Sequence, residues 1–105
     1  MASVFKAISD PTRRQVLQLL RQGPMSAGEL SDHFDVSKPT MSAHFAVLRE
    51  AGLVGSEKNG KIVTYWLNAT VLEDALLAFA GALDLNLTPS RAKAPRRKPA
   101  EGKSS

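Results

Sequence analysis

The sequence predicts a mainly α domain with a β-hairpin wing, in the element order α-α-α-α-β-β-α. Three observations lead there. Residues 26–52 read as two helices joined by a tight turn. Directly after them, Asn59-Gly60 separates two runs with strand character, a strong short-range hairpin signal. Residues 70–85 then form a helical stretch with almost no polar face. A chain of 105 residues suits one small domain with a modest core. We assign that domain to residues 1–87 and a basic tail to residues 88–105.

Residues 3–9 form a short helix candidate with Val4, Phe5 and Ile8 on one side. Asp10 is a good N-cap and Pro11 a good first residue for the next helix, where an amide hydrogen is spare. That helix runs to about Gln22, with Val16, Leu17, Leu19 and Leu20 inward, and Gly23-Pro24 stops it. Arg13 and Arg14 near its start are expected to be solvated or paired with acids such as Asp10; the alternative is a backbone phosphate contact.

Ser26 and Glu29 have capping-box spacing and open the third helix, in which Leu30 and Phe34 share a face. Asp35-Val36-Ser37 breaks it. Ser37 is placed to cap the fourth helix and Pro39 to sit in its first turn. On a helical wheel Met41, Phe45 and Leu48 fall together and should face the core. The opposite side holds Pro39, Thr40, Ala43 and Ala46, with Ser42 on its flank and Lys38 at its start. An ordinary solvent face would be rich in Glu and Lys. Short, uncharged side chains let a helix backbone approach another surface closely, and a major groove admits one helix. A neighbouring protein element is the other candidate surface.

Gly52 ends the fourth helix. Two strands follow, turning at Asn59-Gly60, and Lys58 and Lys61 stand at the tip. In the second strand Ile62, Thr64, Trp66 and Val63, Tyr65, Leu67 form alternating sets of types that strands prefer. A helix-turn-helix followed by a basic-tipped hairpin is the layout of a winged helix-turn-helix, whose tip can hold phosphate beside the groove. Thr70 is the expected N-cap of the last helix, with Glu73 at capping-box spacing and Asp74 beside it near the positive end of the helix dipole. From Val71 to Leu85 that helix is apolar all round, so one side should pack on the core and the other on a second subunit.

The whole chain carries a net charge of +4. Residues 88–105 hold Arg91, Lys93, Arg96, Arg97, Lys98 and Lys103 against Glu101, a net +5, which leaves −1 on residues 1–87. The high isoelectric point therefore belongs to the tail, and only local pattern argues for nucleic-acid binding. The tail lacks large apolar residues and is expected to be disordered. It either adds salt-sensitive, non-specific attraction to DNA or only aids solubility. The absence of cysteine excludes disulfides and thiolate metal sites within the chain and fits a cytoplasmic location. No signal peptide and no membrane-spanning run is expected.

Catalysis and cofactors are not expected. Asp32, His33 and Asp35 on the third helix, and Glu73, Asp74 and Asp84 on the last, do not make a zinc set of three or four convergent ligands. Ser42 and His44 are two apart on a helix and do not face each other, so they are no nucleophile–base pair. His44 lies on the flank of the fourth helix, where a phosphate contact and a core-edge role are both open.

The run from Asp10-Pro11-Thr12-Arg13-Arg14 to Leu20, the stretch from Ser37-Lys38-Pro39-Thr40 to Val54, and the wing together resemble the ArsR-type winged-helix transcriptional repressors. The opening Val4-Phe5-Lys6-Ala7-Ile8-Ser9-Asp10-Pro11-Thr12-Arg13-Arg14 is similar to the SdpR-type autorepressors within that family. The resemblance covers about residues 3–85. It implies a homodimer through the first and last helices, with Val4, Phe5, Ala75, Ala78, Phe79 and Ala82 at the interface. It also implies a sequence-specific, autoregulatory repressor on a pseudo-palindromic duplex operator. The residues expected near DNA are Ser37, Lys38, Thr40, Ser42, Ala43, His44, Lys58 and Lys61. Relatives often carry a histidine where this chain has Ala43. In SdpR-type systems a membrane-bound protein sequesters the repressor. A metal- or small-ligand-responsive sensor, and a helical protein–protein adaptor, are the remaining functional alternatives.

Overall fold

A computed structural model of the chain describes residues 4–86. The expected disordered tail at residues 88–105 lies outside the described residues. Eight elements follow in order: α1 (Val4–Ile8), α2 (Pro11–Leu20), β1 (Met25–Ser26), α3 (Ala27–Ser31), α4 (Lys38–Glu50), β2 (Val54–Asn59), β3 (Ile62–Leu67) and α5 (Ala69–Ala82). The described backbone forms two compact units that divide between Glu73 and Asp74, inside α5.

Most element starts are set by local chemistry. The Asp10 carboxylate accepts from the Arg13 amide at the start of α2, with Pro11 in the first turn. Ser26 and Glu29 close a reciprocal capping box on α3: Ser26 Oγ accepts from the Glu29 amide at 3.1 Å, and Glu29 Oε1 accepts from the Ser26 amide at 2.9 Å. Ser37 Oγ accepts from the Thr40 amide at 3.2 Å to open α4. At the far end of α4, Gly52 has φ +79°. Its amide donates to Arg49 O and the Leu53 amide to Leu48 O, the Schellman closure that needs a left-handed residue. Asp84 takes the same conformation (φ 60°) after α5, with the Leu85 amide donating to Ala80 O.

The core of the first unit gathers Leu30, Met41, Leu48, Leu53 and Val16, all essentially inaccessible, with Ala7, Leu17, Leu20, Phe45, Val54 and Tyr65 around them. Helix α4 thus buries Met41, Phe45 and Leu48, the three residues its periodicity selects. The Phe45 and Tyr65 rings stack with centroids 4.7 Å apart, which ties α4 to the wing.

Four details differ from the sequence expectation. First, β1 pairs with β3 (Met25↔Tyr65, Ser26↔Thr64), so the hairpin is part of a three-stranded antiparallel sheet of order β1-β3-β2. Two residues are too few to show a period. Second, Asn59 pairs with Ile62, so the two-residue turn is Gly60-Lys61 and not Asn59-Gly60. Gly60 carries the positive φ (+65°) at the first central position, the preference of the glycine-first primed turn. Third, α5 starts at Ala69, so Thr70 lies inside the first turn and is not the cap. Asn68 precedes the helix, its carbonyl accepting from the Val71 amide and its side chain donating to Gly52 O at 3.1 Å. Fourth, Ala7 is the buried residue of α1, while Phe5 is exposed. A five-residue helix offers its core only a narrow contact, and the smallest side chain makes it.

Candidate nucleic-acid interface

The two helices of the motif are held by their buried sides, and what they leave outward is the candidate site. Ser37, Lys38, Pro39, Thr40, Ser42 and Ala43 are all exposed on the first half of α4. No acidic side chain lies in its first turn. The backbone amides there point outward along the positive end of the helix dipole, an arrangement that suits an anion. The hydroxyls are ordered: Ser37 Oγ donates to Thr40 Oγ1 at 2.9 Å while it accepts the Thr40 amide. Ser37 is therefore occupied as a cap. Thr40 keeps its own hydroxyl proton to offer outward.

Beside this helix stands the wing. Lys58 lies opposite Val63, one pair from the tip, and Lys61 occupies the turn; both are exposed. Ile62, next to Lys61, is exposed too (59%). On the other face of the hairpin a Cβ at Gly55 would come within 2.5 Å of the Trp66 indole, so the ring lies directly across the glycine. The absence of a side chain at Gly55 lets the only tryptophan cover the strand pair.

His44 is placed differently from the other seven expected DNA-facing residues. Its side chain is only 15% exposed and turns toward the junction of α1 and α2. Nδ1 lies 3.1 Å from Nη1 of Arg13 and 3.9 Å from Oδ2 of Asp10. In the chain by itself this ring has internal partners, Arg13 and Asp10.

Arg14 is exposed and Arg13 half-buried with its charge acting on Asp10, as expected, but both also spend guanidinium N–H groups on backbone carbonyls. Arg13 Nε donates to Ala7 O at 2.7 Å, and Nη2 to Lys6 O at 3.1 Å. Arg14 Nη1 donates to Ile8 O at 2.9 Å. Together they satisfy the last carbonyls of α1, which a helix this short cannot satisfy itself. A signal for this is present in the sequence: two arginines in the first turn of a helix sit against its dipole, and that placement calls for a compensating partner.

Burial raises the carboxyl pKa of Asp10, but the amide of Arg13, the neighbouring His44 and Arg13 side chains and the amide of Thr12 outweigh it. The net result lies below the ordinary value of 3.8. The charged cap therefore stabilises the fold fully above the ordinary carboxylate range, and that contribution is lost as pH falls through the lower folded value. Asp10→Ala is expected to cost about 1 kcal/mol at neutral pH. Asp10→Asn, which caps without titrating, should shallow the acid limb of a stability-against-pH curve measured by urea unfolding. An acid limb identical to that of the unsubstituted protein would mean that Asp10 contributes nothing to the pH dependence.

Among the described residues no group of three His, Cys, Asp or Glu side chains is close enough to hold a metal ion. Among the same residues no helix is long and apolar enough to cross a membrane.

Residues 10–56 match the family model for the bacterial regulatory proteins of the arsR family. The chain is 47% identical over 76 residues to the transcriptional repressor SdpR of Bacillus subtilis (strain 168), covering 72% of this chain and 84% of that one. It is 38% identical over 73 residues to the arsenical resistance operon repressor of Staphylococcus xylosus, covering 70% of each. Among solved structures it is similar to an ArsR family transcriptional regulator, with TM-score 0.70 and 30% identity over 76% of this chain and 88% of that one. A possible transcriptional regulator for arsenical resistance matches with TM-score 0.68 and 33% identity over 88% of this chain and 96% of that one. The matched helix-turn-helix model spans α2 to the start of β2, the segment that carries the exposed face of α4. The chain belongs to the ArsR family of bacterial regulatory proteins: it is a winged helix-turn-helix transcriptional regulator and not an enzyme.

Proposed function

We propose that the protein is a transcriptional repressor that binds a pseudo-palindromic duplex operator as a homodimer, its own promoter among the targets. The observation that carries this reading is the exposed, nearly charge-free face of α4, with Thr40, Ser42 and Ala43 outward and Met41, Phe45 and Leu48 buried behind them. Thr40 and Ser42 offer hydroxyls to base edges or phosphates, Ala43 a methyl to thymine, and Lys38 a cation to the backbone. Lys58 and Lys61 hold phosphate from the wing. Repression follows from occlusion of the promoter.

A dimer presents α4 twice. Supporting residues for the interface are Phe5 on α1 and Ala78, Phe79 and Ala82 on α5, all exposed in the single chain, with Val4 and Ala75 half-buried. Two recognition helices related by a two-fold axis reach half-sites about 34–36 Å apart. The test is selection of duplexes from a random pool, followed by footprinting of the enriched duplex and of the promoter of the protein's own gene. An inverted repeat with half-sites one helical turn apart is expected. Enrichment of no duplex, or protection of a single half-site, would count against the reading.

The wing lysines give a separate expectation. Replacing Lys58 and Lys61 with Gln should weaken binding to every duplex and reduce the slope of log affinity against log salt by about 0.9 for each phosphate no longer neutralised. Weakening confined to one sequence would make the wing a reader of bases.

A further inference from the structure

Arg13 and His44 are 31 residues apart in sequence, yet their side chains meet at 3.1 Å. A guanidinium has no acceptor, so Arg13 donates and His44 Nδ1 receives. The same guanidinium donates to the carbonyls of Ala7 and Lys6, at 2.7 Å and 3.1 Å. One rigid planar cation therefore holds the C-terminal end of α1 with two of its N–H groups and a side chain of α4 with a third. Asp10 closes the cluster: its carboxylate caps α2 through the Arg13 amide and lies 3.9 Å from His44. The joint is one turn along α4 from Thr40, whose hydroxyl faces outward.

We infer that Arg13 and His44 are positioning residues for DNA binding, whose mutual hydrogen bond fixes the recognition helix α4 against the end of α1. Affinity for the operator depends on both, and neither touches the duplex. The physical case is geometric. A helix in a groove must present its hydroxyls within a fraction of an ångström of base edges, and rigid support for such groups comes from locked neighbours. Packing of Met41, Phe45 and Leu48 fixes how deeply α4 sits, but apolar contacts are non-directional and leave its rotation softly set. The directional bond from Arg13 supplies that constraint. A lysine at position 13 could not, since an ammonium is a point charge without the fork that reaches three acceptors.

The inference rests on α4 being the helix that enters DNA, so Ser42→Glu is run beside it as a control. The probe is the duplex enriched from the random pool by the unsubstituted protein. Arg13→Gln, His44→Leu and the double variant are compared as full-length dimers, below their melting temperatures. Each single change is expected to weaken binding about tenfold, the loss typical of one hydrogen bond to a charged group. The double variant should be no weaker than the weaker single one, because both remove the same hydrogen bond. The salt slope stays unchanged. His44→Asn, which keeps an acceptor near the place of Nδ1, should restore binding to within about threefold of the unsubstituted protein.

Losses that multiply in the double variant would overturn the inference, as would unchanged affinity in folded variants. A salt slope lower by about one in His44→Leu would overturn it as well, since that marks a direct phosphate contact. Should Arg13→Gln fail to fold, the pair His44→Leu and His44→Asn decides alone: equal affinities sink the inference and rescue by Asn sustains it. Undiminished binding by Ser42→Glu would instead remove the α4 assignment itself.

Discussion

Ser42→Glu is expected to abolish operator binding while leaving the melting temperature and the dimer unchanged. Ser42 is exposed on α4, between buried Met41 and exposed Ala43. Stability should therefore move by no more than about 0.5 kcal/mol, as for ordinary surface changes. In the groove the consequence is different. A glutamate there is longer than the serine it replaces and places a negative charge among phosphates, and like charges held together cost several kcal/mol. At 1.4 kcal/mol per factor of ten, the loss is about a hundredfold or more. The measurement is a titration of labelled duplex, with sedimentation and thermal unfolding of the same preparation alongside. Retained affinity would show that the small-residue face of α4 meets something other than DNA. Binding lost together with the fold would show that Ser42 has a structural role that its exposure conceals.

The legibility of this molecule follows the range over which each interaction acts. Asp10, Ser26 and Ser37 can be read as caps because each satisfies amides within three residues of itself. Met41, Phe45 and Leu48 can be read as core because helical spacing alone puts them on one side. The contacts that elude pattern span greater distances. The β1 strand exists only because Met25 and Ser26 meet Tyr65 and Thr64, some forty residues later. The contact of His44 with Arg13 leaves no mark on the local pattern, because Arg13 belongs to a different helix. Asn68, just before α5, has a side chain that donates to Gly52 O, a contact invisible in the local sequence. The hairpin turn moves by one residue for a related reason. Asn59 and Gly60 both tolerate positive φ, but only one glycine-first turn leaves Val63, Tyr65 and Leu67 facing the core. A single slip would bury Ile62, Thr64 and Trp66 instead. The outward face of α4 is readable for the opposite reason: what marks it is the charged residues it lacks, and that is visible in sequence without any knowledge of partners.

Phe79→Glu is expected to convert the dimer into monomers and, through that, to remove tight operator binding without touching α4. The second compact unit carries Leu76, Leu77 and Phe79 exposed on α5 and Leu83 exposed just after it, with Phe79 at 48%. Such large apolar groups clustered on one short helix, with acids only at Glu73 and Asp74 near its start, are unusual for a surface that water alone covers. Ala75, Ala78, Phe79 and Ala82 recur at helical spacing, so three methyl-sized residues surround one aromatic ring. A ring flanked by small residues is the anchor-and-pocket arrangement that concentrates binding energy, and a charge at that anchor must be desolvated for the interface to close. The expected cost is about 3–5 kcal/mol at the interface, two to four orders of magnitude in the dimer constant. Operator affinity should fall with it, because a monomer binds one half-site and forfeits the effective concentration that links the two. Sedimentation at several protein concentrations reads the first effect and a duplex titration reads the second. The two can be separated: joining two Phe79→Glu chains with a flexible linker should recover part of the affinity if loss of association is the cause. A dimer that persists unchanged in Phe79→Glu would move the interface away from this face of α5 and leave its exposed apolar residues to some other partner.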